Sequence, residues 1–103
     1  MSDPRPIGLF DSGIGGLTVL REVQARLPAE STLYIGDRAR HPYGTRSDDE
    51  VRRFAEELSD ELVGRGVKAI IVACNTATAV ALRSLRERHP STPIIGVIRP
   101  GAA

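Results

Sequence analysis

This chain of 103 residues has one cysteine, one methionine, one lysine and no tryptophan, and its aromatic side chains are two tyrosines and two phenylalanines. A single cysteine excludes an internal disulfide and a CxxC redox pair, and it fits a cytoplasmic protein. No apolar run approaches the roughly 20 residues a membrane-spanning helix needs, and Met1 to Pro6 lacks a signal peptide's apolar core, so no membrane association is expected. The chain lacks the glycine-lysine pair of a phosphate-binding P-loop, and its few aromatics form no stacking stripe for single-stranded nucleic acid. Two histidines and one cysteine supply too few ligands for a metal site.

What is abundant is arginine, which accounts for thirteen of the fourteen basic residues in a chain of net charge +1. The spacing argues against a nucleic-acid surface. Glu22/Arg26, Arg52/Glu56, Arg53/Glu57, Glu61/Arg65 and Arg83/Glu87 stand four apart, the separation at which side chains pair along a solvated helix face. The apolar fraction of 41% and charged fraction of 26% are those of a globular protein with one modest core.

Four short apolar runs read as strands: Ile7 to Phe10, Thr32 to Gly36, Lys68 to Ala73 and Ile94 to Ile98. None alternates cleanly with polar residues, so both faces of a sheet are expected to be covered. Between them lie helical stripes: Leu17, Leu20, Val23 and Leu27; then Val51, Phe54, Ala55, Leu58 and Leu62; then Ala77, Val80, Ala81 and Leu85 within about Asn75 to His89. Ser47 with Glu50 predicts a capping box, and Pro28 and Pro90 predict helix stops. The alternation of strand and helix predicts an α/β fold, a parallel sheet of about four strands with flanking helices. No helix follows the fourth run, so apolar surface is expected to be left there for another segment or subunit.

In a parallel sheet the loops after the strands gather on one edge, which brings together three polar segments. The first, Asp11-Ser12-Gly13-Ile14-Gly15-Gly16, resembles a phosphate loop only loosely, because Thr18 stands where a dinucleotide fingerprint needs glycine. It suits the carboxylate of a small substrate equally well, and its plainest role is to cap the following helix. The second runs from Asp37 to Pro42-Tyr43-Gly44; Asp37 reads as loop brace or functional acid, and Tyr43 as packing ring or ligand contact. The third is Cys74-Asn75-Thr76, where the only cysteine meets a helix start whose dipole favours negative charge. A small buried apolar side chain is the plain alternative for Cys74. His41 adds nothing to this reading, and His89 is expected only to complement a helix C-terminus.

Three motifs then coincide: Phe-Asp-Ser-Gly-Ile-Gly-Gly-Leu-Thr-Val from residue 10, Tyr-Ile-Gly-Asp with Pro-Tyr-Gly between 34 and 44, and Val-Ala-Cys-Asn-Thr-Ala-Thr from 72. Together they resemble the N-terminal half of the glutamate racemase family, over about Ile7 to Ala102. Aspartate and hydantoin racemases match the first motif less well. The resemblance implies a Rossmann/flavodoxin-like half of a two-domain racemase, with residues 1–103 forming the N-terminal α/β domain. It implies a cofactor-independent, cytoplasmic enzyme that interconverts L- and D-glutamate for peptidoglycan and cell-wall building, with no nucleic-acid partner.

In that family two cysteines, one per domain, act as acid and base on opposite faces of Cα. By resemblance Cys74 is the first, with Asp11 near it as the second catalytic residue. Asp11, Ser12, Tyr43, Gly44, Asn75 and Thr76 would hold the substrate. The second cysteine, usually within Thr-Cys-Thr-His, is absent, and Arg99 stands where glutamate is expected. The missing thiol would come from a C-terminal domain or a homodimer partner, and this chain alone is expected to be weak or inactive. The alternatives are a non-catalytic amino-acid-binding or protein-interaction module, and a related aspartate or hydantoin racemase.

Overall fold

Ile7 to Phe10 offers water no polar side chain, so its backbone groups are best satisfied by strands on both sides. In the computed structural model, which describes residues 3–13 and 15–97, that segment becomes β1 (Ile7–Asp11), with every residue buried. The remaining strands are β2 (Thr32–Gly36), β3 (Ala69–Val72) and β4 (Ile94–Gly96), and the helices are α1 (Leu17–Arg26), α2 (Asp48–Gly64) and α3 (Asn75–Arg88). Two 3-10 turns, Arg38–Arg40 and Tyr43–Thr45, lie between β2 and α2. Element ends differ from the sequence expectation by one or two residues: β1 extends to Asp11, β3 loses Lys68 and Ala73, β4 stops at Gly96 before Val97, and α3 stops before His89. Ile98, Arg99 and Ala102, like Ile14 of the first loop, lie outside the described residues.

All pairings are parallel and the strand order is β2-β1-β3-β4. The chain moves one way from β1 to β2, then reverses past β1 to β3 and continues to β4. Right-handed crossovers therefore place α1 on one face and both α2 and α3 on the other. The core follows that division. Val51, Phe54, Ala55, Leu58 and Leu62 of α2 and Ala77, Ala81 and Leu85 of α3 are buried with Phe10, Ile70, Val72 and Ile94 of the sheet. Val80 packs against this cluster while partly buried.

The opposite face is thinner: β1 is buried on both faces, whereas β2 is half-buried throughout and β3 at alternate positions, so the expectation of two covered faces holds fully for β1 alone. No residue of α1 is buried; Leu20 and Val23 are half-buried, while Leu17 and Leu27 are exposed. One helix cannot cover four strands, and Ile95 on β4 is left 55% exposed.

Helix α2 begins at the expected capping box: the Ser47 hydroxyl accepts from the Glu50 amide at 3.2 Å, and the Glu50 carboxylate accepts from the Ser47 amide at 3.3 Å. Such a cap stabilises a helix by about 1 kcal/mol. Of the five pairs expected along helix faces, Glu22–Arg26, Glu61–Arg65 and Arg83–Glu87 form. Arg52 turns to Asp49 instead, and Glu57 turns to Arg40.

His89 does more than complement a dipole. Its Nε2 lies 2.8 Å from Asp60 Oδ1, and Arg88 donates to both Asp60 oxygens at 2.8 and 2.7 Å, so α3 is clamped to α2. The Arg88 hydrogen bonds, aided by His89 and opposed by partial burial, hold the Asp60 carboxyl below its ordinary range. A group whose folded value is depressed stabilises the fold above its unfolded value, and that contribution is lost as pH falls through the folded value. Asp60→Asn is expected to lower Tm by about 2–5 °C near neutrality and to flatten the decline in Tm on acidification below about pH 4, read from thermal melts. An unchanged acid limb would remove Asp60 from that role.

Candidate functional site

Strands that run in parallel deliver their following loops to one edge, and where the connections reverse direction a crevice opens between the diverging loops. In this sheet the reversal lies between β1 and β3. The Ala73 amide donates to the Phe10 carbonyl at 2.9 Å, and the Asp37 amide to the Asp11 carbonyl at 3.0 Å. These bonds bring the three loops side by side. A cavity of about 210 Å³ lies there, lined by Asp11, Ser12, Gly15, His41, Ala73, Cys74, Asn75 and Thr76. That is below the roughly 300–1,000 Å³ of sites for drug-sized ligands, and suits a molecule the size of an amino acid.

Asp11 is 2% exposed, and its carboxylate organises the first loop from beneath. Oδ1 accepts from the Gly13 amide at 2.8 Å, and Oδ2 accepts from the Gly16 amide. Gly16 is the cap position of α1, and no side chain caps it in the usual way, so Asp11 takes that task from five residues back. A Cβ on residue 16 would stand 2.8 Å from Asp11 Cγ, which explains glycine at this position.

Cys74 is the N-cap residue of α3, with extended backbone (φ −118°, ψ 124°) and a carbonyl that accepts from the Thr78 amide at 2.9 Å. Its side chain is 8% exposed and lines the cavity, with Asn75 and Thr76 of the first helical turn beside it. The positive end of the α3 dipole thus faces the same space as the thiol. An anionic ligand or a developing negative charge would be stabilised there.

Of the residues expected to form a site, Asp11, Ser12, Cys74, Asn75 and Thr76 are brought together, whereas Tyr43 and Gly44 are not among the cavity lining. Tyr43 is 1% exposed, its ring 5.5 Å from that of Phe54, and its hydroxyl donates to Asp37 Oδ2 at 2.5 Å. Burial, reinforced by that hydrogen bond, pushes its phenol well above the ordinary value, so it remains a neutral donor. Asp37 also accepts from Arg40 Nε at 2.7 Å, and the Arg40 guanidinium lies 4.0 Å from the Phe54 ring centroid and pairs with Glu57. Asp37 is therefore the loop brace of its two readings. Gly44 is exposed, with nothing within 4 Å of a Cβ placed on it.

His41, which has no assigned role in the sequence, also lines the cavity. Its position two residues before Tyr43, in a loop already assigned to this edge, was the available signal. The rotation of its ring into the cavity wall carries no mark in the sequence.

With this geometry in place, comparison with known proteins is specific. The sequence profile of the Asp/Glu/Hydantoin racemase family matches residues 14–103. A glutamate racemase of Roseiflexus sp. (strain RS-1) is 57% identical over 102 residues, which cover 97% of this chain and 38% of that protein. The glutamate racemase of Francisella tularensis, solved in complex with D-glutamate, is 46% identical with a TM-score of 0.88, over 92% of this chain and 36% of that one. The Escherichia coli glutamate racemase, solved with L-glutamate and the activator UDP-MurNAc-ala, is 36% identical with a TM-score of 0.87, over 95% and 37%. The chain thus spans less than half the length of these relatives.

Proposed function

The chain belongs to the Asp/Glu/Hydantoin racemase family, and from that premise we propose that it forms one α/β half of a cofactor-independent glutamate racemase. The observation that carries this reading is the meeting of Cys74 with Asp11, Ser12, Asn75 and Thr76 around one amino-acid-sized cavity at the topological switch point. Relatives of the same fold hold D- or L-glutamate.

Racemisation removes the Cα proton on one face and returns a proton on the other. Cys74, as thiolate, takes the proton from its own face, and its thiol can return one there. The dipole of α3 and the hydroxyls of Ser12 and Thr76 stabilise the substrate carboxylate and the negative charge that spreads into it when Cα is deprotonated. Asp11 holds the first loop in shape and takes the substrate ammonium with its remaining lone pairs. The backbone groups of Tyr43 and Gly44 complete the substrate shell from the second loop, while the Tyr43 ring stays packed against Phe54. A second thiol, from a C-terminal domain or a partner copy, serves the opposite face. The whole enzyme works in the cytoplasm and supplies D-glutamate for peptidoglycan.

Titration of the chain with glutamate, followed by amide NMR, tests the reading. Shifts concentrated at Asp11, Ser12, Cys74, Asn75 and Thr76 are expected with either enantiomer, and aspartate should bind at least about threefold more weakly. Tighter binding of aspartate would assign the site to the aspartate branch, and no shift with any amino acid would overturn the assignment.

A further inference from the structure

We propose that His41 is a positioning residue of this cavity, a latch that ties the second loop to the Ser12–Gly13 wall. His41 Nδ1 lies 2.9 Å from the Ser12 carbonyl oxygen. A carbonyl only accepts, so Nδ1 carries the proton and the neutral ring is left with a bare Nε2. The contact is close: a Cβ on Gly13 would stand 2.7 Å from Nδ1 and 3.2 Å from Cγ of the ring, so a side chain there would push the exposed imidazole away. Glycine is thus required at 13 for approach by the imidazole.

Among the described residues the wall it holds is also tied by the Gly13 amide on Asp11 Oδ1 at 2.8 Å and by the Tyr34 hydroxyl donating to the Gly13 carbonyl at 3.1 Å. Tyr34 comes from β2 and Asp11 from β1, so of these three His41 alone comes from the second loop, between the two 3-10 turns. Its loss leaves the turn anchored below and open at the cavity mouth. The consequence for a ligand rests on the reading of this cavity as an amino-acid site; the latch itself does not.

The geometry separates this role from simple bulk. The side-chain amide nitrogen of asparagine can occupy the place of Nδ1, whereas that of glutamine reaches the place of Nε2. Nitrogen-15 NMR of the chain is expected to find His41 in the Nδ1–H tautomer at neutral pH, the minority form for histidine in water. Amide hydrogen exchange at Gly13 is expected to quicken about three- to tenfold in His41→Gln and His41→Ala, and to stay within about twofold of the parent in His41→Asn. Glutamate binding should weaken in the same order and by similar factors. An Nε2–H tautomer, or glutamine retaining protection as well as asparagine, would overturn the latch. Failure of the parent chain to bind glutamate would count against the amino-acid site, while the tautomer and exchange results would still decide the latch.

Discussion

Glutamate incubated with this chain in deuterated water is expected to gain deuterium at Cα in one enantiomer only, with retention, and Cys74→Ser is expected to slow that exchange by about 10²–10⁴-fold. The chain holds one cysteine, so one face of the substrate meets a thiol. A thiolate that removes the proton leaves a planar carbanion, and the same sulfur, its proton exchanged with solvent, returns a deuteron to the same face. Exchange without inversion is the signature of half a two-base site. Serine keeps the size of the side chain, but an alcohol ionises far above the roughly 8.5 of an ordinary thiol, so the base is lost while the cavity persists. Proton NMR at Cα and a coupled assay for the opposite enantiomer read the two outcomes separately. Rapid interconversion abolished by Cys74→Ser would mean that two copies face each other across one substrate. Exchange that survives Cys74→Ser would remove Cys74 from the chemistry.

Asp11→Ala is expected to destabilise the fold by about 3 kcal/mol, with glutamate binding lost in parallel. The carboxylate is 2% exposed and accepts the Gly13 and Gly16 amides, so its removal strands two donors beneath the first loop. Each buried donor left without a partner costs about 1–3 kcal/mol, a large share of the about 5–15 kcal/mol that holds a domain together. Asp11→Asn retains one acceptor oxygen but sets its NH2 against the other amide donor, so about half the loss should remain. Denaturant unfolding of the three proteins gives the ranking. A variant Asp11→Ala as stable as the parent would show that the loop finds its shape without the carboxylate.

Much of this architecture was legible in the sequence because its signals are local and repeated. Four unpatterned apolar runs, three helical stripes and the Ser47–Glu50 cap need only spacing to be read, and each element begins within a residue or so of its expected place. Convergence of Asp11, Ser12, Cys74, Asn75 and Thr76 followed from the parallel sheet alone. What was illegible depends on how side chains turn after the backbone is placed. Tyr43 had two uses open to it, and the pull of Phe54 and Asp37 directs it into the core. His41 has no role legible in the sequence, because its partner is a backbone carbonyl 29 positions away, which no side-chain motif can reveal. The thinness of the α1 face was hidden for a related reason: a stripe of Leu17, Leu20, Val23 and Leu27 announces a helix that seeks cover, not how much cover it finds.

The cavity has walls from three loops that follow three different strands, and no single strand-helix unit of the chain could form it. Local order in one loop is therefore insufficient; β1, β2 and β3 must all be in register before the space exists. Binding and folding are then two readings of one equilibrium, since a molecule that occupies the crevice favours only chains whose sheet is complete. At a hundredfold excess over its Kd such a ligand would add about 2.7 kcal/mol to the native state, acting as a non-covalent staple across the middle of the sheet.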